Sequence, residues 1–284
     1  MEASQAKRRD NADDGESAAA ATNEPSRLST RTLERGLSIL DCFDLDHPYW
    51  TLSDVCKQTG LAKATAFRLL KTLENFRYVT FGPAANRYCL GPSMAKSAYL
   101  MLSHSELVRV AHPVLEALSE ATTETAVVTA WLEQQALVLD VVLTPRPFRP
   151  YVRPGHIFRG PQNANVQVFL AYLPSDEVRA FITRAEKSSS SPEGGNLQKF
   201  EERLSDVRIR GLAYDLEEQT EGISAAAAPV FDASAQVRAS LGVIAPAERF
   251  SAADIVNYDV HLKRAASILS RELGYQGSQN GPTP

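Results

Sequence analysis

Apolar residues recur at helical spacing in two short neighbouring segments that together span residues 52–73, with Gly60 between them. Two short amphipathic helices around a glycine turn predict a helix-turn-helix, whose second helix enters the DNA major groove. The apolar face of the second helix has four members: Ala66, Leu69, Leu70 and Leu73. Its other faces carry four residues that we predict to contact DNA: Lys63, Thr65, Arg68 and Lys71. The alternative is a plain helical hairpin with a solvated basic face.

The segments that flank this pair extend the predicted DNA-binding domain to residues 27–91. Residues 78–90 alternate around a Gly-Pro-Ala-Ala-Asn turn, which predicts a β-hairpin, or wing, with Arg87 near its tip as a further DNA contact. Residues 29–43 have the spacing of an amphipathic helix. Its predicted inward residues are Leu33, Leu37, Leu40 and Phe43. A helix, a helix-turn-helix and a wing make a winged helix-turn-helix domain.

The distribution of charge strengthens this interpretation. Residues 57–103 contain seven Lys or Arg and a single acid, Glu74, whereas the whole chain has a net charge of −4. A local basic patch in an acidic protein can neutralise DNA phosphates without attracting polyanions everywhere. A merely solvated face would not concentrate one sign of charge so strongly.

The second half of the chain predicts a separate domain, so the fold class is α+β. Its pattern runs helix, hairpin, helices, hairpin, helix, which favours an antiparallel sheet flanked by helices. We assign residues 92–104 to a linker helix and residues 105–275 to this second domain. Residues 1–26 have the composition of a disordered tail and residues 276–284 form a second tail. The low-complexity residues 188–195 indicate a flexible loop.

Several other classes of protein find little support in the sequence. No apolar run approaches the roughly 20 residues of a membrane span, and the N-terminal residues have no apolar signal-peptide core, so we expect a cytoplasmic protein without a membrane partner. The three cysteines and five histidines lack metal-binding spacing, so no metal and no cofactor are expected. An enzyme is the remote alternative, because Asp215, Glu217 and Glu218 are close carboxylates that could do acid–base chemistry.

Several stretches of the chain resemble the IclR family of bacterial transcription regulators. The stretches are "LERGLSILDCF", "TLSDVCKQTGLAKATAFRLLKTLENFRYV", "RYCLG", "HPVLEALSEATTETA", "RGLAYDLEEQTEGISAAAAPVFD" and "SLGVIAP". The resemblance implies a winged helix followed by a ligand-binding domain of GAF-like fold. It also implies a homodimer or homotetramer that binds double-stranded DNA and responds to a small organic effector, often from carbon or aromatic catabolism.

Two-fold symmetry of such an oligomer would impose a near-palindromic operator. The predicted linker helix between residues 94 and 102 is apolar enough to pair with its copy.

The departures from the family pattern bear on the effector. The stretch "GPQNANVQVFLAYL" stands where relatives usually have "PLHATALGKALLA". Ala225 replaces a cysteine, Gly242 and Ile244 replace two serines, and Asp215 stands where the family often has a pocket acid. The resemblance therefore places six residues at an effector pocket: Ala164, Asn165, Asp215, Ala225, Gly242 and Ile244. With fewer hydroxyls and more apolar surface, this pocket should favour an aromatic or longer-chain ligand over a short keto acid.

Two alternatives stay open for the second domain. These substitutions could be neutral packing changes, or the ligand site could be lost and the domain could serve only to oligomerise. Four arginines in the segment 146–159 are candidates to pair with a ligand carboxylate, although such a run is more often solvated or at an interface. They are Arg146, Arg149, Arg153 and Arg159.

Overall fold

The computed structural model describes residues 30–44, 47–103, 105–188 and 197–277. The predicted N-terminal tail, most of the predicted loop at 188–195 and most of the C-terminal tail lie outside these residues. The chain divides into two units, Met1–Pro92 and Ser93–Pro284.

Three helices and an antiparallel hairpin build the described part of the first unit. The elements are α1 (Arg31–Leu40), α2 (Leu52–Thr59), α3 (Lys63–Asn75), β1 (Val79–Gly82) and β2 (Arg87–Leu90). This order confirms the helix-turn-helix followed by a hairpin that the sequence predicts. Every element contributes to a core of six buried residues: Ile39, Val55, Ala66, Leu70, Val79 and Tyr88.

The inward face of α1 differs from the predicted one. Leu33 and Leu37 are 62% and 51% exposed, so their predicted inward placement is wrong. The buried residues of α1 are Gly36 and Ile39, and Leu40 and Phe43 pack against the core as predicted. At about 100° per residue, Leu33 and Leu37 lie about 60° and 100° around the helix from Gly36, outside the narrow stripe that the small core can cover.

Local sequence fixes both ends of α2. The Thr51 hydroxyl accepts a hydrogen bond from the Asp54 backbone N–H (3.2 Å) and donates one to Asp54 Oδ2 (2.6 Å). Such a cap satisfies an N–H group that the first turn leaves free. Gly60 ends the helix with φ of 69°, a left-handed conformation that glycine adopts without strain.

The second unit contains a six-stranded antiparallel sheet in the order β5-β4-β3-β8-β7-β6. The strands are β3 (Thr125–Leu132), β4 (Gln135–Val142), β5 (Ile157–Phe158), β6 (Ala213–Leu216), β7 (Ile223–Phe231) and β8 (Val237–Pro246). The remaining helices are α4 (Pro92–Ser103), α5 (Glu106–Thr122), α6 (Ala164–Leu170), α7 (Ser175–Ser188), α8 (Leu197–Arg210) and α9 (Ala252–Glu272). A 3-10 turn at Ala247–Arg249 precedes α9.

Each face of this sheet has its own core. Helices α5 and α9 pack on one face, against alternate residues such as Ala126, Ala226 and Val243. Helices α6, α7 and α8 pack on the other, against Val127, Ala225 and Ile244. A sheet buried on both sides explains why β7 and β8 read as nearly continuous apolar runs.

The two predicted hairpins are present. The turn of the first is the pair Glu133–Gln134, whose φ angles of 47° and 65° suit a two-residue hairpin turn, so β4 begins at Gln135. The sequence did not predict β5 or β6, which have two and four residues. Among the described residues, no helix is long and apolar enough to cross a membrane.

Candidate functional site

The exposed side of α3 is the first candidate site. The buried residues Ala66 and Leu70 define the inner side of this helix. Three basic residues predicted to contact DNA are exposed on its outer side: Lys63, Arg68 and Lys71. Thr65 lies at the margin and is half-buried. The structure therefore brings the four predicted residues of α3 to one continuous surface.

Phe67 also lies on this surface, and the sequence analysis did not select it. Its side chain is 45% exposed, one helical turn after Lys63 and one turn before Lys71. The signal available in the sequence was an aromatic residue at a position that the helical period assigns to the polar face. An exposed ring there offers an apolar surface between two cations.

Lys71 is already engaged by neighbouring side chains. Its Nζ donates to Glu74 Oε2 at 2.7 Å, and this hydrogen bond raises the lysine pKa. The same Nζ lies 6.0 Å from the centre of the Phe67 ring and 5.8 Å from that of Phe81 on β1. Lys71 is thus oriented between α3 and the hairpin.

Arg87 lies at the tip of the hairpin, as predicted. It is exposed and pairs with Gly82 across the turn 83–86. The hydrogen bond from Thr51 is the main cause that lowers the pKa of Asp54, and the charges of Lys57 and Arg87 act in the same direction. Arg87 therefore lies close to the first turn of α2.

Backbone hydrogen bonds of Trp50 connect the start of α2 to the hairpin. Its backbone N–H donates to the Tyr88 carbonyl (3.0 Å), and the Tyr88 N–H donates to the Trp50 carbonyl (2.7 Å). This isolated bridge gives β2 a second strand-like neighbour. The start of α2 and the wing are consequently held in one arrangement.

The second candidate site lies on the sheet face covered by α6. Asp215, Ala225 and Ile244 are direct neighbours across β6, β7 and β8. Ala164 and Asn165 begin α6, and Gly242 lies two positions before Ile244 on the same strand. All six predicted effector residues are therefore on one face and close together, and all six are buried.

Gly242 and Asn165 are in direct contact. A Cβ at position 242 would lie 2.8 Å from Asn165 Oδ1 and 3.1 Å from Asn165 Nδ2, which is too close. The Ser240 hydroxyl donates to Asn165 Oδ1 at 3.1 Å. Asn165 Nδ2, in contrast, is buried and has no hydrogen-bond partner among the described residues. The glycine makes room for the amide, and the amide keeps an unused donor.

Asp215 is a buried carboxylate with a perturbed pKa. Burial raises its pKa to about 6, although Oδ1 accepts hydrogen bonds from the backbone N–H groups of Glu218 (3.0 Å) and Gln219 (3.1 Å). These bonds also fix the loop that follows β6. Glu218 points elsewhere, into a bidentate ion pair with Arg203 (2.7 and 2.9 Å). Glu217 Oε1 accepts a hydrogen bond from the Gly222 backbone N–H (2.9 Å), so the three carboxylates of the enzyme alternative bind three separate partners.

The four arginines of the 146–159 segment bind protein groups. Arg146 pairs with the fully buried Glu124 (2.9 Å), which Arg249 also contacts (2.6 Å). Arg149 donates a hydrogen bond to the Arg146 carbonyl oxygen, Arg153 donates one to Tyr151 Oη, and Arg159 donates one to Gln135 Oε1. The sequence analysis missed this buried Glu124 cluster, which joins the start of β3 to Arg249.

A winged helix-turn-helix unit followed by a unit with a helix-covered antiparallel sheet defines a two-domain, DNA-binding transcription regulator. A family model described as IclR helix-turn-helix domain matches residues 32–83, and a model described as bacterial transcriptional regulator IclR C-terminal matches residues 99–271. The chain therefore belongs to the IclR family, whose members are transcription regulators and not enzymes.

Within the described residues, no group of three or more His, Cys, Asp or Glu side chains could hold a metal ion.

Curated relatives match most of the chain. The HTH-type transcriptional regulator XynR of Escherichia coli is 26% identical over 246 residues, which cover 86% of this chain and 98% of that relative. The glycerol operon regulatory protein of Streptomyces griseus is 29% identical over 252 residues, which cover 86% of this chain and 96% of that relative.

Solved structures share the fold. The IclR transcriptional regulator from Alicyclobacillus acidocaldarius gives a TM-score of 0.76 at 23% identity, covering 87% of this chain and 100% of the other. An IclR homolog from Microbacterium hydrocarbonoxydans, complexed with 4-hydroxybenzoate, gives 0.70 at 18% identity, with coverages of 85% and 98%.

Proposed function

We propose that this regulator binds a near-palindromic operator and that a small, mainly apolar organic effector modulates that binding. The observation that best supports DNA binding through the first unit is the basic, exposed side of α3 inside a winged helix. The seven cations of residues 57–103 belong to a chain of net charge −4, so their concentration is local.

Each proposed DNA contact has a role that fits its surroundings. Lys63 and Arg68 are exposed on α3 and would reach base edges or phosphates in the major groove. Thr65, at the margin of that surface, suits a phosphate contact. Lys71 is held by Glu74 and by two rings, so it would act as a fixed phosphate contact. Arg87 would meet the backbone or minor groove from the wing.

For the effector, we propose the α6 face of the sheet as the binding site. Ala164, Ala225 and Ile244 would supply its apolar wall, and Gly242 makes room for the amide of Asn165. The unused donor of Asn165 and the carboxylate of Asp215 would orient a polar group on the ligand. Because all six residues are buried, binding requires this face to open.

An aromatic ligand suits such a site. Apolar burial contributes roughly 25 cal/mol per Å², whereas each unpartnered polar group of a compact acid would cost about 1–3 kcal/mol. An IclR homolog of similar fold was crystallised in complex with 4-hydroxybenzoate, an aromatic acid, and this supports the proposal of an aromatic ligand. A catabolic operon is the target we propose, in keeping with the name of the glycerol operon regulatory protein.

The DNA part is tested by fluorescence anisotropy on the promoter next to the chain's own gene. Arg68→Ala should weaken binding and, if it contacts phosphate, reduce the slope of log affinity against log salt by about 1. Arg179→Ala is the matched control, because Arg179 is an exposed arginine of α7 that pairs with Glu201 in the second unit. Unchanged affinity in both Arg68→Ala and Lys63→Ala would contradict the proposed docking.

The effector part is tested by repeating the assay with 4-hydroxybenzoate, other aromatic acids, phenols and small keto acids. An aromatic compound should change operator affinity, and Ile244→Arg should abolish that response while basal DNA binding persists. A second domain that only oligomerises predicts no response to any compound. A response to a two-carbon acid alone, or normal regulation in Ile244→Arg, would refute the proposed site.

A further inference from the structure

A cavity lies beside α9, and none of the proposed effector residues lines it. Its volume is about 810 Å³, within the roughly 300–1,000 Å³ of small-molecule pockets. Strand β6 pairs only with Ser224–Ala227 of β7. The cavity is bounded by the remainder of β7, by the end of α8 and by the last turns of α9. It therefore lies beside the part of β7 that extends past the end of its pairing with β6.

The lining of this cavity carries charge of one sign. Within the described structure, four lining residues are cationic and none is acidic: Arg210, Lys263, Arg264 and Arg271. Arg210 lies 3.8 Å from Asp206 in an exposed pair. The three cations of α9 form no ion pair within the described part of the chain. Unneutralised cations around a concave surface focus a positive potential inside it.

Aromatic rings form another part of the wall. Phe231 packs edge-on against Tyr172 (centroids 5.4 Å apart) and lies 5.2 Å from the Tyr275 ring. The Ser270 hydroxyl accepts a hydrogen bond from the Phe231 backbone N–H (3.0 Å) and donates one to Ala266 O (2.7 Å), so the Phe231 backbone is anchored to α9. Burial raises the pKa of Tyr172 to about 12, which leaves its hydroxyl neutral.

We infer that this cavity binds an aromatic polyanion, that is, a flat molecule with two or more negative charges. Guanidinium groups pair bidentately with carboxylates and phosphates, and Arg264 and Arg271 are two helical turns apart on α9, or about 10 Å. A ligand with separated anionic groups spans that distance better than one with a single charge. The ring of such a ligand packs beside Tyr172 and Tyr275. This site is separate from the proposed effector site.

Calorimetry on the full chain tests the inference with benzene-1,3,5-tricarboxylate as the probe. We expect saturable binding of one molecule per chain. Citrate has similar charge but no ring, and benzoate has a ring but one charge, so both should bind at least tenfold more weakly. Adenosine triphosphate without magnesium is titrated in parallel, because a nucleotide and an aromatic polycarboxylate both combine a flat ring with several negative charges. The probe that binds more tightly identifies which of these two classes of ligand the cavity prefers.

Variants locate the binding. Arg264→Gln and Arg271→Gln together should weaken the tricarboxylate at least tenfold, since both side chains are exposed and their replacement leaves the core intact. Lys199→Gln on α8 and Arg68→Gln on α3 should leave it unchanged. No binding of either probe, an equal loss in Lys199→Gln, or a loss in Arg68→Gln would overturn the inference. The last outcome would move the anion to the DNA surface.

Discussion

At the scale of single residues, the contact between Gly242 and Asn165 defines the proposed effector site. Gly242→Ala would place a methyl group 2.8 Å from Asn165 Oδ1. We expect this change to cost about 1–3 kcal/mol of unfolding free energy. Asn165 supplies the nearest atom, and Val127 Cγ2 lies 3.1 Å away. Asn165→Ala should therefore relieve part of this cost in the double variant.

Tryptophan fluorescence can measure that cycle in the second unit alone. The chain has two tryptophans, Trp50 and Trp131, one in each unit, so a Trp50→Phe background leaves Trp131 as the reporter. Additive effects of the two single changes in urea unfolding would contradict the predicted coupling.

Asp215 gives a prediction about pH. Its folded pKa of about 6 lies above the ordinary 3.8, so the folded state binds a proton more tightly than the unfolded state. Ionisation of the buried carboxylate therefore lowers the free energy of unfolding, by at most about 3 kcal/mol. This loss of stability is nearly complete above pH 6 and disappears as the pH falls below 4. Asp215→Asn should gain stability relative to the parent as pH rises from 4 to 7. Urea midpoints read from Trp131 test this, with the exposed Asp206→Asn as control; a constant difference would show that the pKa is not raised.

Residue contacts such as these could not be predicted from the sequence. Ser240 and Asn165 are 75 positions apart, and periodicity carries no information about which side chains meet across that separation. The family resemblance selected Gly242 and Asn165 as pocket positions. Only the structure shows that one exists to accommodate the other.

At the scale of elements, helices and strands with strong hydrophobic periodicity could be predicted from the sequence, whereas short elements and strands at the sheet edges could not. The amphipathic α3 and the alternating hairpins were predictable because burial imposes the pattern. Strands β5 and β6 are too short to show alternation. Trp50 pairs with β2 through backbone groups, which leave no mark on the side-chain pattern. The inward face of α1 was misjudged because Leu33 and Leu37 are apolar yet exposed.

Two glycines of the first unit should respond in opposite ways to alanine. A Cβ at Gly91 would collide with the Arg77 carbonyl oxygen, while one at Gly36 in α1 would meet no atom within 4 Å. Gly91→Ala should cost about 2 kcal/mol or more. Gly36→Ala should be neutral or add roughly 0.5–1 kcal/mol, since alanine favours the helix. In a Trp131→Phe background, Trp50 reports both; equal effects of the two changes would refute the argument.

At the scale of the whole molecule, the proposed operator symmetry requires a dimer. Helix α4 carries two strongly exposed apolar side chains, Tyr99 (72%) and Met101 (58%). We expect α4 to pair with its copy, because exposed apolar groups of this size are stabilised when a partner covers them. A two-fold dimer would place two α3 helices on half-sites about one or more DNA turns apart, each turn being roughly 34 Å.

Charged substitutions on α4 therefore make the final prediction. Tyr99→Glu with Met101→Glu should give a monomer in light scattering and lower operator affinity at least tenfold, because each half-site then binds alone. The matched control is Val256→Glu with Val260→Glu on α9, where the side chains are 65% and 61% exposed. That control should keep both the dimer and the affinity. If the α4 variant stays dimeric at operator-binding concentration, α4 is not the dimer contact; if the monomer binds as tightly as the parent, the operator does not need two-fold symmetry.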